Sequence, residues 1–221
     1  MANVPPHRIL TGSSRPHSVQ ALTLHPQKEK LIEEEEDKLI QAGVVSKTSG
    51  PWCSPVVLAR KKDGSIRFCV NYQLLNLKTL ADSYPLPNPE HCLSSLSGAD
   101  YFTSLDCKAG YWQIPVDPRD RDKTAFRSRR HGLLAFNVLP FGLSNAPASF
   151  ARAMDAVVSG VSCSSSVLAY LDDILIFTHG GFDLHLKHVE EVLERLEQCG
   201  FTVNPAKVKF ARRSLEFLGP L

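Results

Sequence analysis

The chain has 221 residues, 43% of them hydrophobic and 22% charged, enough for a sizeable core in one large or two modest domains. This composition excludes disordered and fibrous classes. A formal charge of only +2 means that any nucleic-acid binding must rest on local basic clusters.

Six cysteines (Cys53, Cys69, Cys92, Cys107, Cys163 and Cys199) lie mostly in apolar runs, with no Cys-x-x-Cys and no nearby histidine pair. They read as buried thiols, not as disulfides or a zinc site. The N-terminus has no apolar signal core, and no run approaches about 18 apolar residues, so the expectation is an intracellular protein, cytoplasmic or nuclear, with no membrane contact.

Residues 1–27 are rich in Pro, His and Ser and read as an extended lead-in, flexible or packed along a surface; His7, His17 and His25 lack ligand spacing. Lys28 to Ala42 predicts a helix closed by Gly43, with Glu33 to Glu36 as a solvated face. Val56–Arg60 and Ile66–Asn71 then flank an Asp-Gly turn as a hairpin. Arg60, Lys61 and Lys62 crowd its tip and Arg67 stands on the return arm, a pattern shared by solvated and anion-binding hairpins. Asn88 to Gly98 carries an N-cap Asn, a first-turn Pro and a terminal Gly, the signature of a short packing helix.

Tyr101-Phe-Thr-Ser-Leu-Asp106 is a short strand-like run ending in an acid, and Tyr111 and Trp112 after it are core aromatics by default. Thr124–Arg129 and Leu133–Leu139 predict two strands around His131-Gly132. Arg127, Arg129 and Arg130 there could lie along a phosphate backbone or protect a sheet edge by charge. Ser144 or Asn145 then caps a helix with Phe150, Met154, Val157 and Val158 on one face.

Two adjacent acids interrupt the apolar run Val167-Leu-Ala-Tyr-Leu-Asp-Asp-Ile-Leu-Ile-Phe177. The pattern predicts a β-hairpin with Asp172 and Asp173 at its turn. Acidic turns are common on surfaces, but arms this apolar project the turn from a packed sheet. Crowded carboxylates are relieved by a shared proton or a cation, and hard oxygen ligands suit Mg²⁺. Adjacent strand residues face opposite ways, so a partner acid is required, and Asp106 is the candidate. Asp183 to Cys199 follows as an amphipathic helix on Leu186, Val189, Val192, Leu193 and Leu196; His185 and His188 read as surface residues.

Tyr170-Leu-Asp-Asp173, Ser104-Leu-Asp106 and Leu139-Pro-Phe-Gly-Leu-Ser-Asn-Ala-Pro147, in this order, resemble the reverse transcriptase of gypsy-type LTR retrotransposons, relatives of the retroviral enzymes. The resemblance runs from about Leu24 to the last residue. It implies an α+β fold, the fingers and palm of a right-hand polymerase with an antiparallel sheet packed on helices, occupying 28–221, with thumb, connection and RNase H segments left to a parent polyprotein. By the same resemblance Asp106, Asp172 and Asp173 are catalytic and hold two Mg²⁺ ions, or Mn²⁺. Lys61 and Arg67 take the triphosphate of an incoming dNTP, Tyr111 excludes a ribose 2′-OH, and Phe141 and Gly142 approach the nucleotide. Arg127, Arg129 and Lys207 are candidates for the backbone of a primer on an RNA or DNA template.

The chain departs from the family at Asn71 and Gln73, where an acid and a base are usual. Two alternatives therefore stand beside a polymerase: a non-catalytic remnant acting as a nucleic-acid-binding or interaction module, and an RNA-copying RNA polymerase, against which Tyr111 argues. A parent polyprotein could also be named for its ribonuclease H, for which no residues are left here.

Overall fold

Alternation and apolar runs build two units from discontinuous pieces of chain. The computed structural model describes residues 1–19, 25–60, 66–85, 96–170 and 172–215, the side chains of Gln27, Arg60, Ile66 and Arg67 apart. The tip of the first hairpin, with Lys61, and most of the helix expected after Asn88 lie outside these. One unit comprises Met1–Pro5, Ser83–Gln113 and Pro147–Leu221, the other Pro6–Asp82 and Ile114–Ala146.

The first unit is organised by a four-stranded antiparallel sheet in the order β7-β8-β4-β9, with β4 at Tyr101–Asp106, β7 at Val167–Tyr170, β8 at Asp173–Thr178 and β9 at Lys209–Arg212. Ile174, Leu175, Ile176 and Phe177 are all buried, as expected of a central strand covered on both faces. Helix α3 (Ala146–Val158) buries Phe150, Met154 and Val157, the face its spacing predicts. Helix α4 (Phe182–Gln198) packs on β4 and β8 through His185, Val189, Val192 and Leu196.

That stripe corrects the sequence reading of α4. Leu186 and Leu193 are largely exposed, and His185 is fully buried. Its Nε2 lies 2.7 Å from Thr103 Oγ1 and its Nδ1 2.9 Å from Thr178 Oγ1. A buried imidazole with both nitrogens partnered carries no desolvation debt for an unmade hydrogen bond. The N-terminal lead-in is packed as well: Ala2 is buried, its N–H donating to the Gln113 carbonyl at 2.7 Å.

The second unit holds a three-stranded antiparallel sheet, order β1-β6-β5 (Val45–Lys47, Gly132–Phe136, Phe126–Ser128), and the hairpin of β2 (Val56–Arg60) and β3 (Ile66–Val70). Helix α1 (Pro26–Gln41) is tied to the β5–β6 turn: Arg129 pairs with Glu29, and Arg130 and His131 both pair with Asp37. Glu36 also departs from the expected solvated face. It is fully buried, accepts a 2.6 Å hydrogen bond from the Ser128 hydroxyl, and burial pushes its carboxyl above the usual range. In the Pro6–Thr11 segment, Arg8 pairs with Asp120 at 2.6 Å and the Ile9 carbonyl accepts from Lys123 at 2.7 Å. Within a one-turn helix α2 (Gln73–Asn76), buried Leu75 faces the core. Just before it, Tyr72 donates a buried hydrogen bond to the Thr124 carbonyl.

Candidate active site

The antiparallel ladder between β4 and β8 places Asp106 directly opposite Asp173, its last paired position. Like charges so placed repel. Asp172 is brought to the same end by its own backbone, whose carbonyl accepts from the Cys107 N–H at 3.0 Å. Its Oδ1 is buried and has no hydrogen-bond partner among the described residues.

Burial, followed by the charges of Asp106 and Asp173, pushes the Asp172 carboxyl above its ordinary range. Burial and Asp106 do the same to Asp173. Lys207 opposes both shifts from a position 2.9 Å from Asp106 Oδ2. Burial and the three acids push the Cys107 thiol up to about 12, so it stays protonated and is no nucleophile.

Lys207 owes its place to Asn204. The Asn204 N–H donates to the Asp106 carbonyl at 2.8 Å, and its side chain caps the 3₁₀ turn Pro205–Lys207. A second 3₁₀ turn, Gly110–Gln113, carries Tyr111. Gln113 clamps that turn, donating to the carbonyls of Lys108 and Thr202 and accepting from the Thr202 N–H at 2.7 Å. The half-buried Tyr111 ring meets Phe150 edge-on at 5.6 Å. Burial, then Asp172, push its phenol upward.

In the other unit, Phe141 is 46% exposed and Gly142 adopts φ +95°, a conformation that favours glycine. Asn76 holds this loop, donating to the Gly142 carbonyl at 2.8 Å and accepting from the Ser144 N–H at 2.9 Å. The expected cap Asn145 instead bridges the Leu80 carbonyl and the Asp82 N–H. Asn71 and Gln73, the departures expected from the resemblance, make a neutral contact, the Asn71 side-chain amide donating to Gln73 Oε1 at 3.2 Å. Arg67 lies on β3 opposite Ala59. Arg127 is exposed and has no carboxylate partner among the described residues, whereas Arg129 is held by Glu29.

The structure therefore gathers Asp106, Asp172, Asp173, Tyr111 and Lys207 in one unit. Arg67, Phe141, Gly142, Arg127 and Arg129 belong to the other. Sequence reasoning missed Gly110, Gln113, Asn204 and Asn76, whose work is done through contacts distant in sequence. The only signal was their position inside or beside the motif runs.

Residues 59–220 match the family model for reverse transcriptase (RNA-dependent DNA polymerase). The chain belongs to the reverse transcriptase family. This reverse transcriptase domain is 34% identical over 192 residues to the enzymatic polyprotein of soybean chlorotic mottle virus, covering 85% of this chain and 28% of that protein. It is 34% identical over 196 residues to the transposon Tf2-3 polyprotein of Schizosaccharomyces pombe, a gypsy-type element, covering 89% and 14% respectively. Among solved structures, the foamy viral protease-reverse transcriptase in complex with RNA/DNA hybrid matches 99% of the chain and 29% of that chain, with a TM-score of 0.87 and 25% identity. The mixed helices and antiparallel sheets are thus those of reverse transcriptase fingers and palm. The domain spans less than a third of these relatives.

Reverse transcriptases are generally divalent-metal dependent. The carboxylates suit such an ion chemically: hard oxygens, mutual repulsion, and one buried oxygen without a hydrogen-bond donor. Among the described residues no three acidic, histidine or cysteine side chains are grouped so as to hold a metal ion by themselves. Mg²⁺ commonly takes its remaining ligands from water and substrate phosphates.

Proposed function

We propose that this domain is an RNA-directed DNA polymerase, transferring a nucleotide from a dNTP to a primer 3′-OH on an RNA or DNA template. The observation that carries the reading is the meeting of Asp106, Asp172 and Asp173 at one end of the β4–β8 ladder. Asp106 and Asp172, assisted by Asp173, would hold two Mg²⁺ ions, with Mn²⁺ as a substitute. When bound, such ions stabilise the attacking and leaving oxygens of an in-line displacement. Tyr111 presents a ring against the incoming sugar that leaves no room for a 2′-OH.

In this reading Lys61 and Arg67 neutralise the triphosphate. Gly142, lacking a side chain, lets backbone approach the nucleotide beside Phe141. Arg127, Arg129 and Lys207 contact nucleic-acid phosphates; for Arg129 and Lys207 this means exchanging a carboxylate partner for a phosphate. The foamy viral relative, solved with RNA/DNA hybrid, supports a primer-template as the partner. The names and lengths of the relatives support a parent polyprotein, which in this reading bears thumb, connection and RNase H segments. Free thiols at Cys53, Cys107, Cys163 and Cys199 support a reducing, intracellular setting.

The test is single-nucleotide extension of a DNA primer on an RNA template with Mg²⁺ at low salt. Asp172→Asn is expected to lower the rate by roughly 100-fold or more, since a lost metal ligand removes several kcal/mol of transition-state stabilisation. Equal extension by wild type and variant would sink the assignment.

A further inference from the structure

Gly110 opens the 3₁₀ turn that carries Tyr111 and is buried. It is not among the glycines with positive φ, so its backbone conformation is open to alanine. Space is what forbids a side chain. A Cβ at Gly110 would stand 2.2 Å from Asp172 Oδ1, 2.5 Å from its Cγ and 3.0 Å from its Oδ2. Contacts below 3.0 Å are essentially never formed by real Cβ atoms.

Both backbones are pinned, so the group that must give way is the Asp172 carboxylate itself. The turn is held at one end by the Gly110 N–H donating to the Cys107 carbonyl at 3.2 Å, and at the other by the Gln113 clamp on Thr202. Asp172 is held by its carbonyl on the Cys107 N–H. Its Oδ1, by contrast, has no hydrogen-bond donor among the described residues. That oxygen is positioned by shape, and the shape is the missing Cβ.

We propose that Gly110 is the positioning residue for the Asp172 carboxylate, its bare Cα forming the seat that fixes this oxygen beside Asp106 and Asp173. The role rests on the reading of these acids as the divalent-ion site. Alanine at 110 displaces the carboxylate by about 1 Å, a misplacement of a size that costs on the order of 100-fold in rate.

The experiment uses this chain with Gly110→Ala, Asp172→Ala and the double variant, and reads three signals besides extension. The ¹³C resonance of the Asp172 carboxyl, followed without metal, is expected to shift in Gly110→Ala. Mn²⁺ affinity, titrated by electron paramagnetic resonance, is expected to weaken about 10–100-fold. Added to Asp172→Ala, Gly110→Ala is expected to weaken it no further, because both changes act on one group. In thermal melting, Gly110→Ala is expected to destabilise the chain with Asp172 present and to be rescued by Asp172→Ala, which removes the colliding atoms. This keeps the test decisive even if the single variant folds poorly.

An unmoved Asp172 resonance, additive losses of Mn²⁺ affinity, or no rescue in melting would each overturn the proposal. A shifted resonance in a chain whose wild type takes up no Mn²⁺ would show the seat to be real and the metal-site reading to have failed, and would end the role assigned to Gly110 on that separate ground.

Discussion

At the scale of single residues, Lys207 illustrates how a cation near an acidic cluster is shared. Its pair with Asp106 is partly exposed, with side-chain exposures of 61% and 21%. Such pairs contribute roughly 0–1 kcal/mol, so another cation can displace the ammonium at small cost. The hydrogen bond and charge of Asp106 raise the Lys207 pKa, and Lys207 in turn eases the repulsion on Asp172 and Asp173. Lys207→Met is therefore expected to tighten Mn²⁺ binding severalfold, roughly the effect of 1 kcal/mol. Unchanged affinity in an isothermal titration would show that the ammonium does not compete. The same residue was picked from sequence for its charge alone; that its partner is a carboxylate of the site depends on Asn204, far from Asp106 in the chain.

At the scale of elements, the sheet and α4 are joined by a polar chain: Ala211 N–H to Thr103, Thr103 to His185, His185 to Thr178, and Thr178 to His188. Tyr101 stacks on the His185 ring at 5.7 Å, and Phe210 lies at 6.5 Å. Burial, then His188, lower the His185 pKa below its ordinary value. The sign follows directly. As pH falls below about 6.5, the unfolded chain binds a proton that the folded chain resists, so this contribution to stability is full above that value and is lost toward acid.

His185→Leu is expected to flatten the acid side of the melting profile between about pH 7 and 5 while costing about 2–4 kcal/mol, because two buried threonine hydroxyls lose a partner. An unaltered acid limb would place the sensitivity elsewhere. Helical periodicity located α4 correctly. It misplaced the buried stripe because His185 was excluded as polar, though it sits four residues before Val189, on the stripe that continues through Val192 and Leu196.

At the scale of the whole molecule, a net charge of only +2 makes binding to a phosphate backbone a matter of local cations. Arg129 and Arg130 tie α1 to the β5–β6 turn, whereas Arg127 keeps its charge unpaired among the described residues. Primer-template binding is expected to be weak and to fall with salt, each phosphate contact adding about 0.7–0.9 to the slope of log affinity against log salt. Arg127→Ala should reduce that slope by about one. An identical slope measured by fluorescence anisotropy would remove Arg127 from the interface.

Local chemistry determined much of this protein. The apolar arms around Asp172-Asp173, the acid ending Tyr101–Asp106 and the ordered motif series identified the family and named the carboxylates before any coordinate, because strand formation and buried apolar runs depend on neighbouring residues. The tertiary structure decided what those carboxylates face. Asp106 opposite Asp173, Lys207 on Asp106 and the bare Cα of Gly110 against Asp172 join residues remote in sequence. The burial of Glu36 and His185 was decided in the same way. A polar side chain is carried inside when a partner on another element meets its hydrogen bonds, and the identity of that partner is set by strand register and helix packing, which short sequence patterns do not encode.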